Sequence, residues 1–171
     1  MANNGLEIIE AAHLFGVEQK NIDVVIHRES IVHSLVEFTD NSVLAQLGVP
    51  DMRIPIQYAI TYPERCTSPV SKLNLADIAK LTFFEPDYKT FKCLTACKDA
   101  LKMGGVATAI VNGENEEANA LFRNGKISFL QIGELVTNSL SALENFEPKT
   151  VEDIIAADEN ARSYVRQMVN K

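Results

Sequence analysis

The chain has 171 residues and a mass of 18.9 kDa, enough for one sizeable hydrophobic core or two small ones. Its 16 Lys and Arg against 23 Asp and Glu give a formal charge of −7, which argues against general binding to nucleic acid. No apolar run approaches the roughly 20 residues that cross a bilayer, and residues 1–10 lack the basic and apolar regions of a secretory signal. Cys66, Cys93 and Cys97 include no CxxC pair and are typical of free thiols. We therefore expect a cytoplasmic protein that binds neither nucleic acid nor membranes.

The first predicted element is a capped helix over residues 3–15. Asn3 and Asn4 belong to a residue type favoured at helix N-caps, and Gly16 is a natural end. We expect its buried side to carry Leu6, Ile9 and Leu14, with Phe15 close by.

A β-hairpin is predicted next, and the chain is organised around the segment 27–63 that contains it. Residues 21–26 are rich in β-branched side chains and predict a strand before it. Apolar and polar residues then alternate along residues 32–38, as in a strand with one buried face. Asp40 and Asn41 tolerate positive φ and predict a two-residue turn into a second strand over residues 43–47. A helix follows, from about Asp51 to Tyr62.

The C-terminal part of the sequence is predicted to be helical. Residues 66–88 are punctuated by prolines and predict a connector. Four helices follow with short loops, at residues 91–103, 106–122 and 129–143 and after Thr150, where Asp153 completes a capping pattern. The expected fold class is therefore α+β, a small sheet with a β-hairpin and flanking helices followed by a four-helix bundle. The predicted domains are 1–65, 66–88 and 89–171.

The start of the first helix is the sharpest candidate site by residue type. Helix N-termini attract anions, and Glu7 lies one turn from Asn3 on the same face. A site for an anion and a metal ion is therefore possible here. From spacing alone, an N-cap followed by a first-turn carboxylate is the favoured interpretation.

The other candidates for chemistry are weaker. Glu10 and His13 resemble half of a di-iron motif, but no second copy exists and a solvated surface is favoured. His27 and His33 would lie roughly 20 Å apart on a continuous strand, too far to share a metal. The polar segment 112–117 lacks the spacing of a calcium loop and predicts a polar helix surface.

The residue identities of the hairpin segment are more informative about protein family than the spacing of the residues is. Residues 45–56 read AQLGVPDMRIPI, and His27, Ser30 and the His33-Ser34 pair precede them. Together with the Asn, Gly, Leu and Glu of residues 3–7, this pattern resembles 1-deoxy-D-xylulose 5-phosphate reductoisomerase, over essentially the whole chain. The family's chains are more than twice as long. They begin with a nucleotide-binding Rossmann domain, which is absent here.

The resemblance implies a function, and it implies that the active site is shared between this chain and the upstream part of the family's protein. Members of the family isomerise 1-deoxy-D-xylulose 5-phosphate and reduce the product with NADPH to 2-C-methyl-D-erythritol 4-phosphate, a step of non-mevalonate isoprenoid biosynthesis, using Mg²⁺ or Mn²⁺. Two of the three acidic metal ligands belong to the upstream part of the family's chain. The resemblance therefore implies a fragment, the second half of the catalytic domain plus the helical domain, that is inactive alone and lacks what NADPH and the metal need.

The resemblance also implies roles for particular residues. Glu7 matches a metal ligand and catalytic, substrate-binding carboxylate, and Asn3 matches a substrate hydrogen-bond donor. Pro50 and Met52 match positions on the nicotinamide side of the cofactor site. His33 matches a histidine close to the catalytic site.

One departure from the family pattern concerns the phosphate of the substrate. The family's phosphate-binding lysine is replaced by Asn4, and losing a hydrogen bond to a charged group should weaken binding roughly ten- to a hundredfold. Two alternatives therefore remain open. One is a non-catalytic module for dimerisation, since the family is homodimeric, or for another interaction. The other is a diverged paralogue that binds a different phosphorylated ligand.

Overall fold

The computed structural model describes residues 2–169, which divide into two compact units. The helical unit comprises the residues up to Val24 and those from Pro86 onward, and the hairpin unit comprises Val25–Glu85. This division differs from the predicted domain boundaries, because the first helix groups with the C-terminal helices and most of the predicted connector groups with the hairpin. Among the described residues, no helix is long and apolar enough to cross a membrane.

The elements confirm the expected α+β class. In chain order they are α1 Ala2–Phe15, a 3-10 turn Gln19–Asn21, β1 Val32–Glu37, β2 Val43–Leu47, α2 Arg53–Thr61, α3 Leu75–Ile78, α4 Lys92–Met103, α5 Ala107–Arg123, α6 Phe129–Ala142 and α7 Val151–Val169. The predicted strand over residues 21–26 is wrong: Ile26 makes a single bridge to Phe84, and residues 19–21 form the 3-10 turn. β-Branched composition alone does not make a strand without a partner along its length.

The helical unit contains the four predicted C-terminal helices. α5 packs against α4, α6 and α7, and α4 also packs against α1. The predicted cap of α7 is present: the Asp153 N–H donates to Thr150 Oγ1 at 3.2 Å, and the Thr150 N–H donates to Asp153 Oδ2 at 2.9 Å. Gly16 ends α1 at φ +61°, a conformation that costs glycine little.

The core of this unit lies on faces made largely of small side chains. α7 buries Ala157, Ala161 and Val165, whereas the larger Ile154 and Ile155 are exposed. α1 buries Ile8 and Ile9 and meets α4 at Gly5, where an added Cβ would lie 2.6 Å from Cys97 Sγ. The predicted burial of Leu14 is wrong, since its side chain is 77% exposed, and the neighbouring Phe15 is 76% exposed. Close helix contact, rather than side-chain size, selects the buried face.

The segment 112–117 of α5 also differs from its prediction as polar surface. Gly113, Glu114 and Asn115 are buried, and Gly113 lies directly against the backbone of Asp158 on α7. Glu114 is fully buried at 0% exposure, and neither of its carboxyl oxygens has a hydrogen-bond partner among the described residues. Burial raises the pKa of Glu114 to about 8, so the carboxyl is largely protonated at neutral pH.

The hairpin unit is built on the antiparallel pair β1 and β2. Leu35 faces Ala45 in the ladder, and a register shift between Val32 and Ser34 leaves His33 as the extra residue of a bulge. The turn has three residues rather than the predicted two: the Phe38 N–H donates to the Ser42 carbonyl, and Asn41 takes φ +65°.

The expected buried face of the hairpin is not buried within this chain. Large apolar side chains on both strands are exposed: Leu35, Val36, Phe38, Val43 and Leu44. Ile31, next to β1, is the one buried hydrophobic residue among the described residues of this unit. The hairpin unit therefore has little core of its own, and a two-stranded sheet is marginally stable by itself.

Candidate functional site

The first turns of α1 bring three of the predicted site residues together. Asn3 Nδ2 donates to Glu7 Oε1 at 2.7 Å, and Asn4 Nδ2 lies 3.4 Å from Glu7 Oε2. Asn3 and Glu7 are exposed, so they can reach a ligand in solvent. The helix continues through Asn3, which places both asparagines inside the first turn rather than before it. The predicted N-cap role of Asn3 is therefore wrong, and the two amides instead orient the carboxylate.

A divalent cation needs more than this cluster provides. Mg²⁺ and Mn²⁺ take six ligands, mostly oxygens, and protein sites usually combine carboxylates with water or substrate oxygens. Within residues 2–169, no group of three His, Cys, Asp or Glu side chains is placed to hold a metal ion. Glu7 can supply one carboxylate, and the described residues do not complete the site.

A cavity of about 560 Å³ in the hairpin unit brings the other three predicted site residues together. His33, Pro50 and Met52 all line it. The bulge directs the His33 ring toward Gly48, where Nε2 lies 3.1 Å from the carbonyl oxygen. Because a carbonyl only accepts, we assign the proton to Nε2, which leaves Nδ1 able to accept a hydrogen bond from a ligand.

The walls of this cavity near Pro50 and Met52 are fixed by an ion pair. Asp51 accepts hydrogen bonds from the Arg53 side chain, Nε to Oδ1 at 2.9 Å and to Oδ2 at 3.1 Å and Nη2 to Oδ2 at 2.6 Å, and also from the Arg53 backbone N–H. These bonds hold the pKa of Asp51 down, at about 2. Met52, between the two partners in sequence, is 70% exposed at the start of α2 and lines the cavity.

Ser30, which also lines the cavity, sits in a segment anchored by His27. His27 Nε2 accepts the Ile31 backbone N–H at 3.1 Å, and Nδ1 lies 2.9 Å from the Thr82 carbonyl and 3.0 Å from Glu29 Oε2. The Thr82 hydroxyl donates to Glu29 at 2.7 Å and is the main cause that lowers the pKa of this carboxyl. Ser30 itself takes φ +52°, a strained conformation for serine that this network maintains.

Sequence reasoning did not assign Tyr58 and Arg65 to a site, although both line the cavity. Tyr58 belongs to α2 and Arg65 to the following loop, and the Arg65 guanidinium carbon lies 3.8 Å from the centre of the Tyr58 ring. Neither residue belongs to a spacing pattern that would have singled it out, because the loop that returns Arg65 to the helix has no sequence periodicity.

The predicted site residues thus form two groups, one in each unit. Asn3, Asn4 and Glu7 form a hydrogen-bonded cluster in the helical unit. His33, Pro50 and Met52 share the cavity of the hairpin unit. The α1 helix brings Glu7 to Asn3, four positions away, and the bulge of β1 brings His33 to the cavity lined by Pro50 and Met52.

Comparison with known proteins identifies the family to which the chain is similar. Residues 47–164 match the family model described as the DXP reductoisomerase C-terminal domain. A 1-deoxy-D-xylulose 5-phosphate reductoisomerase of Clostridium tetani is 48% identical over 170 residues, which are 99% of this chain and 44% of that protein. One from Bacillus thuringiensis is 46% identical over 171 residues, covering 100% of this chain and 44% of the relative. The chain thus spans less than half the length of these relatives.

Solved structures agree in backbone as well as in sequence. The 1-deoxy-D-xylulose 5-phosphate reductoisomerase from Zymomonas mobilis in complex with NADPH superposes with a TM-score of 0.94 at 37% identity, covering 100% of this chain and 45% of that one. A DOX-P reductoisomerase in complex with NADPH, fosmidomycin and magnesium gives 0.90 at 38% identity, covering 99% and 44%. The family model alone covers more than half of the chain, and we conclude that the chain belongs to the 1-deoxy-D-xylulose 5-phosphate reductoisomerase family, matching its C-terminal domain.

Proposed function

We propose that this chain is the C-terminal part of a cytoplasmic, NADPH-dependent reductoisomerase that converts 1-deoxy-D-xylulose 5-phosphate to 2-C-methyl-D-erythritol 4-phosphate. The observation that carries this proposal is the backbone agreement with the NADPH complex, at a TM-score of 0.94 over the whole chain. Because the chain spans about 44% of its relatives, we assign it a share of the active site rather than the complete reaction.

In this proposal the α1 cluster serves the phosphorylated substrate and a metal ion. Glu7 contributes one carboxylate ligand, and Asn3, already a hydrogen-bond donor to Glu7, turns its amide to a substrate oxygen. Asn4 is the weak position, since an amide carries no charge for the substrate phosphate. Asn4→Lys should therefore tighten binding of the sugar phosphate about ten- to a hundredfold.

The cavity of the hairpin unit serves the cofactor. Pro50 and Met52 offer apolar surface to the face of a nicotinamide ring, and His33 lies beside them with Nδ1 able to accept a hydrogen bond. NADPH, when bound, supplies a hydride. The residues of this chain orient the ring and exclude water from one face of it, as mostly apolar cofactor pockets do.

Split-enzyme complementation tests the proposal. The purified chain alone should oxidise no NADPH with 1-deoxy-D-xylulose 5-phosphate and Mg²⁺, because one carboxylate does not hold the ion. Adding the unmatched upstream part of the Clostridium tetani relative as a separate chain should restore substrate-dependent oxidation. Glu7→Gln should abolish the restored activity, while Glu10→Gln, on the same helix and exposed, should keep it. Turnover by the chain alone would refute the proposal that it supplies only a share of the active site.

A second function, self-association through the hairpin, is favoured by a separate observation. Five large apolar side chains of residues 35–44 are exposed, and a sheet edge with exposed apolar faces is a ready surface for pairing. We propose that this surface forms a homodimer interface. Light scattering should give twice the monomer mass for the natural chain and the monomer mass for Leu44→Lys. Thr39→Lys, in the turn between the strands, is the matched control and should remain dimeric.

A further inference from the structure

Two helices of the helical unit begin at the same pocket, which has a volume of about 250 Å³. We call it the helix-start pocket. The residues that line it from the first turns of α4 and α6 are Phe91, Lys92, Cys93, Phe129, Leu130, Ile132 and Gly133. Backbone N–H groups in the first turn of a helix have no partner within that helix, and they carry the positive end of the helix dipole. Such a place attracts anions when the N–H groups are left open.

The N–H groups at the start of α4 are open in this sense. Phe91 provides no side-chain cap, and the N–H groups of Lys92 and Cys93 have no hydrogen-bond partner among residues 2–169. Gly133 of α6 faces them: a Cβ added there would lie 3.7 Å from the Lys92 nitrogen and 3.8 Å from the Cys93 nitrogen. The missing side chain of Gly133 therefore leaves space in front of two unpaired donors.

Asn115 of α5 supplies a third donor from the buried side of the pocket. Its side chain lines the pocket and is only 6% exposed. Oδ1 accepts a hydrogen bond from Asn119 Nδ2 at 3.3 Å, whereas Asn115 Nδ2 has no partner in the described part of the chain. A buried amide nitrogen without an acceptor is costly, so a ligand oxygen that accepts from it gains affinity.

The charges around the pocket are compatible with an anion. Lys92 lines it, and its ammonium group makes only a long, exposed contact of 3.8 Å with Glu134. Glu114, next to Asn115 in α5, is largely protonated at neutral pH, because burial raises its pKa to about 8. Its carboxyl therefore adds little negative charge beside the three donors.

The rest of the pocket wall is apolar. The Phe91 and Phe129 rings meet edge to face with their centres 6.4 Å apart, and Phe129 is exposed. A volume of about 250 Å³ lies just below the usual range for drug-sized ligands, so it suits one ring with one charged group. A bare inorganic ion would leave these aromatic faces uncovered.

We propose that the helix-start pocket binds a small organic phosphate whose apolar body is about one ring in size. The phosphate oxygens accept from the N–H groups of Lys92 and Cys93 and from Asn115 Nδ2, and the apolar body packs on the phenylalanines. This inference does not rest on the proposed function. Among the described residues, Asn3 lines the pocket, but Asn4 and Glu7 of the α1 cluster do not.

Three probes separate the charged group from the ring. Phenyl phosphate, inorganic phosphate and phenol are titrated into the natural chain, and binding is followed by the NMR shifts of assigned amides. Phenyl phosphate should bind saturably, with the largest shifts at the backbone amides of Lys92 and Cys93 and at the Asn115 side chain. Inorganic phosphate should shift the same amides but bind roughly tenfold more weakly, because it buries no ring. Phenol lacks the anion and should also bind about tenfold more weakly or worse.

Two variants remove the donors in different ways. Asn115→Ala should weaken phenyl phosphate about ten- to a hundredfold, the effect of losing a hydrogen bond to a charged group. Gly133→Ala should weaken it about tenfold or more, because the new methyl group occupies the space in front of the Lys92 and Cys93 nitrogens. Asn112→Ala, on the same helix as Asn115 but outside the pocket lining, and Asn4→Ala, in the α1 cluster, are the matched controls. Both should bind within about twofold of the natural chain.

Circular dichroism checks that each variant folds, and if one does not, the shifts in the natural chain decide. Absence of saturable binding of phenyl phosphate up to about 10 mM would overturn the proposal. So would equal binding of phenol and phenyl phosphate, or unchanged affinity in both folded donor variants, since the pocket would then be an apolar cleft without an anion site.

Two further results would assign the anion elsewhere and also overturn the proposal. Shifts centred on Asn4 and Glu7 instead of Lys92 and Cys93 would place the phosphate at the α1 cluster. Displacement of phenyl phosphate from Lys92 and Cys93 by 1-deoxy-D-xylulose 5-phosphate would make the pocket part of the substrate site. Failure of split-enzyme complementation, in contrast, would count against the proposed function and leave this inference standing.

Discussion

The buried Glu114 of α5 makes the stability of the helical unit depend on pH. Its side chain is fully buried, and burial raises its pKa from 4.5 to about 8. The nearby Ser139 hydroxyl opposes this rise, but it donates its proton to the Leu135 carbonyl at 2.8 Å and does not satisfy the carboxyl. The folded chain therefore keeps a proton on Glu114 over a pH range in which the unfolded chain has released it.

The sign and size of the effect follow from this difference. Because the pKa of Glu114 is raised in the folded state, its protonation adds to the free energy of unfolding. This contribution is complete below about pH 4.5 and is lost as the pH rises to about 8. Each pH unit in that window costs about 1.4 kcal/mol, so the loss between pH 5 and 8 is on the order of 4 kcal/mol. That amount is a large fraction of the stability of an ordinary domain.

Glu114→Gln removes the titration while keeping the size of the side chain. Urea unfolding followed by helical circular dichroism should show the natural chain losing about 4 kcal/mol relative to this variant between pH 5 and 8. Glu116→Gln, exposed on the same helix, should keep the natural pH dependence. If the natural chain and Glu114→Gln change in parallel across this range, the carboxyl is not protonated in the folded state and the reasoning fails.

Three further predictions concern the helical unit. Gly5→Ala should lower the free energy of unfolding by about 1–3 kcal/mol, because its Cβ would lie 2.6 Å from Cys97 Sγ and 2.7 Å from Cys97 Cβ. An increase in urea stability, the usual result of Gly to Ala in a helix, would show that α1 and α4 can separate. Thr150→Ala should cost about 1 kcal/mol by removing the α7 cap, measured as a lower thermal midpoint, and an unchanged midpoint would show that the cap contributes nothing. Isothermal titration of the isolated chain with Mg²⁺ should show no saturable binding at micromolar concentrations, and tight binding would contradict the view that Glu7 provides one ligand of several.

The helices could be predicted because their signals are local. Periodic apolar residues, the glycines after α1, α4 and α5, and the Thr150 cap each act within a few residues, and the structure confirms the elements they mark. The buried faces were harder to predict, because the large side chain of Leu14 was expected on the buried side of α1 and is exposed. Close approach at Gly5 and Gly113 instead places alanines and glycines inside, which no hydrophobicity pattern reveals.

Part of the candidate site could likewise be predicted from the sequence, and part could not. The resemblance named Asn3, Glu7, His33, Pro50 and Met52, and the local fold groups them into one cluster and one cavity. Their roles stay predictions. The sequence did not predict the features of the site that depend on contacts between residues far apart in the chain. The His27–Thr82 hydrogen bond joins residues 55 positions apart, and the Arg65 stack depends on a loop folding back onto α2.

The cavity lies in the unit that has the smaller core, and this has a consequence for binding. Among the described residues of the hairpin unit, Ile31 is the one buried hydrophobic side chain. The shape of this unit is therefore maintained mainly by hydrogen bonds, such as those of His27 and Gln57. Such a unit opens at lower free energy than the helical unit does. A ligand that fills the cavity, or a surface that covers the exposed hairpin, adds stability only to the closed form. Binding and ordering of this unit are therefore coupled, and affinity measured on the isolated chain includes the cost of closing it.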